Sequence, residues 1–291
     1  MTATAAPDAA TGPVAAPPRP HGTPVHRRDR RTLRSHLLGG WATLVYLWLF
    51  APLLVIVAFS FNEPAGKFNT AWRRFTFDNW LHPFRKADYT AALVTSLKVA
   101  ALACVVATIF GGLMALALSR YEFRGKALVS IIVVLPLTTP EIVMGSSLFT
   151  LFFGQNLDFG FTTVVIAHIL FCVSFVALTV QARVRGFDWT LEDAALDLGS
   201  SPWRTFRTVT FPLILPGIGA AALLSFALSI DDYIISSFVA GDGTTTFPMR
   251  IFNANRTEIP PQVHVIASAI LLAAVGLMAL GAWRTLKRLR A

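Results

Sequence analysis

The run AALVTSLKVAALACVVATIFGGLMALAL, residues 91–118, continues for 28 positions with one charged side chain, Lys98. A helix rising 1.5 Å per residue needs about 20 apolar residues to cross ~30 Å of hydrocarbon, so this stretch is long enough to span a membrane. Comparable runs fall near 37–59, 127–153, 162–182, 213–239 and 264–283, predicting about six transmembrane helices and an all-α polytopic membrane protein. Composition agrees. The chain is 54% hydrophobic and 14% charged, with a mean hydropathy of +0.59, where soluble domains carry about 25% charged residues.

Residues 1–35 are rich in Ala, Pro and Thr and end in the basic run His26-Arg27-Arg28-Asp29-Arg30-Arg31, which predicts a disordered basic tail. It resembles the charged start of a signal peptide. The apolar run behind it is too long for one, so an uncleaved first span is expected, with the membrane domain occupying 36–291. Of the 25 Lys and Arg residues, six fall in the tail, three in 120–126, four in 183–207 and four in 284–290. Seven fall in 60–90 and 240–263. Positive charge marks the cytoplasmic side, so both termini are expected inside and those two segments outside. The formal charge of +9 is thereby spread over every inner segment instead of forming one patch, which argues against nucleic-acid binding.

Cys104 and Cys172 both lie within apolar runs, giving no support to a disulfide framework or a thiolate metal site. There is no Gly-x4-Gly-Lys-Ser/Thr phosphate loop, no His-Glu-x-x-His and no Gly-x-Ser-x-Gly, so no catalytic residue, metal or cofactor is expected. His168 and His264 read as structural. The 60–90 segment carries Trp72, Phe75, Phe77, Trp80 and Phe84, a density suited to a membrane interface or a docking surface.

The segment 183–212 is too long for a plain connection and has helical grammar of its own. Thr190-Leu191-Glu192-Asp193 has the form of a capping box. Leu191, Ala194, Ala195 and Leu198 then recur on one helical face, with Glu192, Asp193 and Asp197 off it. Gly199 reads as a C-terminal stop and Ser201-Pro202 as the start of a second short helix bearing Trp203, Phe206 and Thr210. A hairpin for a cytosolic partner and an amphipathic loop lying on the bilayer both fit this pattern.

Asp193-Ala194-Ala195-x3-Gly199-x9-Val209-x-Phe211-Pro212 resembles the Glu-Ala-Ala…Gly…Ile-x-Leu-Pro signature of permease subunits in bacterial ABC importers, with Asp, Val and Phe as mild departures. Arg120-Tyr121-x-Phe123-Arg124-Gly125-Lys126, the stretch Leu224–Val239 and Thr246–Phe252 are similar to the C-type spermidine/putrescine permeases. The resemblance covers most of residues 40–285. It implies the type I ABC importer permease fold in a bacterial inner membrane, and it makes 183–212 a coupling loop. Glu192, Asp193, Ala194, Ala195, Gly199 and Trp203 then become candidates for contact with cytosolic ATP-binding subunits, expected as a dimer. A second homologous permease and an extracytoplasmic substrate-binding protein are the other implied partners.

Ionisable groups at membrane depth cost several kcal/mol and need a partner or a role. Glu141 and Asp231 are expected at similar depths, with Asp232 and the aromatic face of Tyr233 beside the latter. Two readings stay open: a pathway for a flexible polycation, or pairing of Asp231 or Asp232 with Lys98. An ion-coupled carrier would use the carboxylates for coupling but leaves the 183–212 loop unexplained. A permease for another small cargo is the nearer alternative.

Overall fold

The computed structural model describes residues 33–290, so the expected tail lies almost entirely outside the described residues. Of the described residues, those up to Pro52 form one unit and those from Leu53 onward another. The first unit is the start of α1 (Leu33–Ser60). Trp41, Leu44, Tyr46, Leu47, Trp48 and Leu49 are all exposed around its circumference, as suits a helix bathed in an apolar medium.

The second unit is built around α3 (Ala87–Arg120), α6 (Phe161–Val184) and α9 (Phe211–Asp231), which pack against one another. Small residues make this approach close. On α3 the buried positions Ala92, Ser96, Ala100, Ala103, Ala107, Gly111 and Ala115 follow the helical repeat along one face. A Cβ added at Gly111 would lie 2.8 Å from both the Val173 carbonyl and Val176 Cβ. Val164, Ala167, Val176, Val180, Ile214 and Ala221 complete the core of this trio.

The expected third span is broken. α4 (Lys126–Thr138) and α5 (Glu141–Gly154) meet at an angle of 113° across Thr139-Pro140, because proline lacks the N–H and restricts its predecessor to an extended conformation, which Thr139 adopts. Five helices among the described residues are individually long and apolar enough to cross a membrane, six if this bent pair counts as one. The expected fifth span also departs from a single helix over 213–239. It starts earlier, at α8 (Pro202–Thr205), passes through a π-helical turn at Phe206–Thr210 ahead of Pro212, and ends at Asp231. After a break at Asp232-Tyr233, α10 (Ile234–Val239) packs on α5, where Phe238 fills the space beside Gly145.

At the end of α3 that begins with Ala87, a small layer is held by polar side chains. The antiparallel pair β1 (Asn62–Glu63) and β2 (Arg74–Phe75) is tied by buried Asn62, which donates to Asn69 Oδ1 at 2.7 Å, while Asn79 donates to the Asn62 carbonyl at 2.9 Å. Phe61, Phe75, Phe77 and Trp80 pack in stacked and edge-to-face contacts at centroid separations of 4.9–5.6 Å, so much of the aromatic density in 60–90 packs on itself. α2 (Asp78–Leu81), α11 (Phe247–Thr257) and the start of α12 (Pro261–Arg290) complete this layer.

Candidate functional site

The hairpin forms at the other end of α3. α7 (Thr190–Asp197) starts where expected, but the expected capping box is corrected. Asp188 Oδ1 accepts both the Thr190 backbone N–H at 3.1 Å and the Thr190 hydroxyl at 2.8 Å, so the carboxylate two residues upstream replaces the Thr190–Asp193 exchange. The stop at Gly199 takes the form that the sequence implies. Gly199 has φ +84°, its N–H bonds the Leu196 carbonyl at 2.9 Å, and the Ser200 N–H reaches back to Ala195 at 3.1 Å, the paired bonds of a Schellman motif. Ser201 then caps α8 by accepting from the Arg204 N–H at 3.4 Å, with Pro202 in its first turn.

The faces of α7 are the reverse of ordinary amphipathic burial. Leu191 and Leu198 are exposed, the latter at 90%, as are Asp193 and Ala194, with Ala195 half-buried. Glu192, expected off the apolar face and as a contact for the ATP-binding subunits, is 3% exposed and pairs with Arg120 of α3 at 2.6 Å. Trp203 is exposed beside a cavity of about 310 Å3 lined by Leu113, Leu116, Tyr121, Trp189 and Phe206. Asp193, Ala194, Ala195, Gly199 and Trp203 thus share one protruding hairpin, and Glu192 alone of the six candidates faces inward.

The carboxylates at the opposite end separate into two kinds. Asp232 is buried and fully engaged: it accepts from the Ile235 N–H (3.2 Å), the Ser236 N–H (2.8 Å) and the Ser236 hydroxyl (2.8 Å), and lies 3.2 Å from His168 Nε2. His168 Nδ1 is 2.7 Å from the Ser229 hydroxyl. The expected alternative, in which Lys98 neutralises this site, is therefore corrected. Lys98 is exposed and makes no ion pair among the described residues, and His168, which reads as structural in the sequence, is the partner. Glu141, the first residue of α5 at the 113° bend, and Asp231 are exposed and make no ion pair among the described residues. Tyr233 stacks on Phe252 of α11 with centroids 4.4 Å apart.

Beyond them a cavity of about 710 Å3 is rimmed by charged pairs: Arg74–Glu63, Arg85–Asp78 and Lys86–Glu258. The hydrogen bond from Arg85 holds the Asp78 carboxyl below its ordinary range.

A polytopic helical bundle with a rigid hairpin at one end and uncompensated carboxylates toward the other defines a membrane transport component. The chain belongs to the family of inner membrane components of binding-protein-dependent transport systems, whose model matches residues 107–287. It is 35% identical to the spermidine/putrescine transport system permease protein PotC of Haemophilus influenzae over 247 residues, covering 85% of this chain and 95% of that one. Against the putrescine transport system permease protein PotI of Escherichia coli K12 it is 36% identical over 252 residues, covering 84% and 89%. Its fold matches that of a bacterial ABC transporter involved in import of the acidic polysaccharide alginate, with TM-score 0.65 at 14% identity over 90% of this chain and 99% of that chain. The MetNI methionine ABC transporter aligns with TM-score 0.52 at 16% identity, covering 69% and 93%.

Proposed function

We propose that the chain is one of two homologous permease subunits of an ATP-driven importer, carrying a polyamine such as spermidine or putrescine across a bacterial inner membrane. The observation that carries this reading is the hairpin: a rigidly capped turn that exposes Leu191, Leu198 and Trp203 to solvent is built for a partner's groove. Cytosolic ATP-binding subunits would seat there, supplying the hydrolysis for which this chain has no phosphate loop. An extracytoplasmic binding protein would deliver cargo at the opposite end, over the charged rim. The cargo class rests on the relatives' likeness along nearly their whole length.

Glu141 and Asp231 suit a flexible polycation because each is exposed and has no ion-pair partner among the described residues, so ammonium groups can pass from one to the other without displacing a bound lysine or arginine there. Tyr233 adds an aromatic face. Asp232, with its oxygens committed, holds the break that presents its two neighbours.

Transport is tested with the complex reconstituted in vesicles: ATP-dependent accumulation of labelled spermidine or putrescine is expected, and uptake that persists without ATP would overturn the importer reading in favour of an ion-coupled carrier. Glu141→Gln and Asp231→Asn are each expected to lower that uptake by roughly an order of magnitude with normal membrane content, the loss of one charge-assisted contact being worth about 1.5–3 kcal/mol. Unchanged uptake in both would remove these carboxylates from the pathway. Sidedness is checked by cysteine labelling, where positions within 120–126 and 183–207 should react only from the cytoplasm and those within 68–86 only from outside. External labelling at position 200 would reverse the proposed orientation.

A further inference from the structure

The pair Arg120–Glu192 joins a buried carboxylate to a guanidinium about one-third exposed, and it links the hairpin to a membrane helix. Glu192 belongs to the hairpin and Arg120 is the last residue of α3. One carboxylate oxygen lies 2.6 Å from Arg120 Nη1, and the other is buried with no hydrogen-bond partner among the described residues. The Arg120 guanidinium also sits 5.7 Å from the Trp189 ring, just before α7, and 5.5 Å from that of Tyr121. A carboxylate buried in this way cannot part from its cation without leaving an uncompensated charge, so when α7 moves the end of α3 must follow.

α3 is suited to carry such a displacement. Its 34 residues contain no proline and rise ~51 Å, whereas α9 is preceded by a π-turn and carries Pro216 within it, and the α4–α5 span is broken. Its far end is fastened to α11 at several points. Asp88 accepts from Arg250 Nε at 2.9 Å, the Arg250 guanidinium lies over the Tyr89 ring at 4.5 Å, and Ser96 Oγ accepts the Phe247 N–H at 2.8 Å. α11 in turn bears Phe252, whose ring stacks on Tyr233 next to the break at Asp232.

We propose that Arg120–Glu192 is the joint through which the hairpin drives α3, and that α3 transmits this movement to α11 and the Tyr233–Phe252 contact. The assignment makes Arg120 a positioning residue that touches neither cargo nor nucleotide. It rests on the importer reading for its purpose, but its mechanical content is a property of this chain.

The test uses the full complex in lipid nanodiscs and vesicles, with two readouts on Arg120→Gln. Amide hydrogen exchange should rise in α7 and also, across the length of α3, in α11, while α5 and α6 stay as in the parent. Cargo carried per ATP hydrolysed should fall about tenfold, the size of effect expected from severing one coupling element, with the ATP-binding subunits still co-purifying. The exchanged pair Arg120→Glu with Glu192→Arg should restore both readouts toward the parent. Faster exchange confined to α7, or uptake and hydrolysis falling in parallel without rescue by the exchanged pair, would overturn the joint. If the parent complex shows no ATP-dependent uptake yet α11 responds to Arg120→Gln, the joint stands and the importer reading fails.

Discussion

Gly199→Asp is expected to release the ATP-hydrolysing subunits from the complex while leaving the membrane helices inserted. The reason comes from two features of the turn. Gly199 has φ +84°, a conformation that costs an L-residue roughly 1–2 kcal/mol, and the Schellman bonds from Gly199 and Ser200 depend on it. A Cβ at this position meets nothing within 4 Å among the described residues, so beyond the backbone strain its bulk is felt only by whatever seats against the hairpin. Aspartate visits the left-handed region more readily than most residues, so its damage should come mainly from an unpaired charge at a packed contact. Such penalties run to about 2–5 kcal/mol, a loss of affinity on the order of 30-fold or more. Gly199→Val tests the other cause, because a β-branched side chain is poorly tolerated at positive φ and would deform the turn. Co-purification of the ATPase, substrate uptake and membrane content are measured together. Retention of ATPase and uptake in both variants would leave the hairpin as a loop on the bilayer surface and remove the main support for the importer reading.

The hairpin shows what was legible in the sequence and what was not. Gly199, Ser201 and Pro202 announce their roles because each acts through its own backbone, so a turn and a cap can be read from residue type and spacing. The inward turn of Glu192 could not be read, because it depends on Arg120, some seventy positions earlier, arriving at the same place. The six apolar runs were readable from length and hydropathy. Their breaks at Pro140 and Asp232 were less so: proline signals a kink but not its 113°, and the second break is fixed by a histidine on another helix. Lys98 illustrates the risk of pairing charges by depth alone, since helix rotation decides which face a side chain occupies and Lys98 points away from the core that Val99 and Ala100 enter.

Asp232→Leu is expected to be the most damaging single change toward the Ala87 end of the bundle, and its damage should appear as lost protein rather than as altered transport. Three hydrogen bonds converge on this carboxylate, from the Ile235 and Ser236 N–H groups and the Ser236 hydroxyl, while His168 Nε2 lies 3.2 Å from it and hydrogen-bonds the Ser236 hydroxyl oxygen at 3.0 Å. With Nε2 donating, His168 Nδ1 is left to accept from the Ser229 hydroxyl at 2.7 Å, and every member of the network is satisfied. Removing the carboxylate orphans these three donors and takes the charge partner from His168, in a region from which water is excluded, at a cost of about 3–5 kcal/mol. Asp232→Asn is gentler. Its amide oxygen can take the place that receives the Ser236 N–H and hydroxyl, leaving the amide NH2 opposed to the Ile235 N–H, for about 1–3 kcal/mol. His168→Leu should resemble Asp232→Leu, and the double variant should be less destabilised than the sum of the two, since an apolar replacement of a whole buried network leaves fewer groups unpaired. The measurement is thermal unfolding and yield of the purified chain in detergent, with Glu141→Gln as a control that should match the parent in both. If Asp232→Leu kept parental stability and lost only polyamine uptake, the carboxylate would be serving cargo directly and the role assigned to His168 would fall.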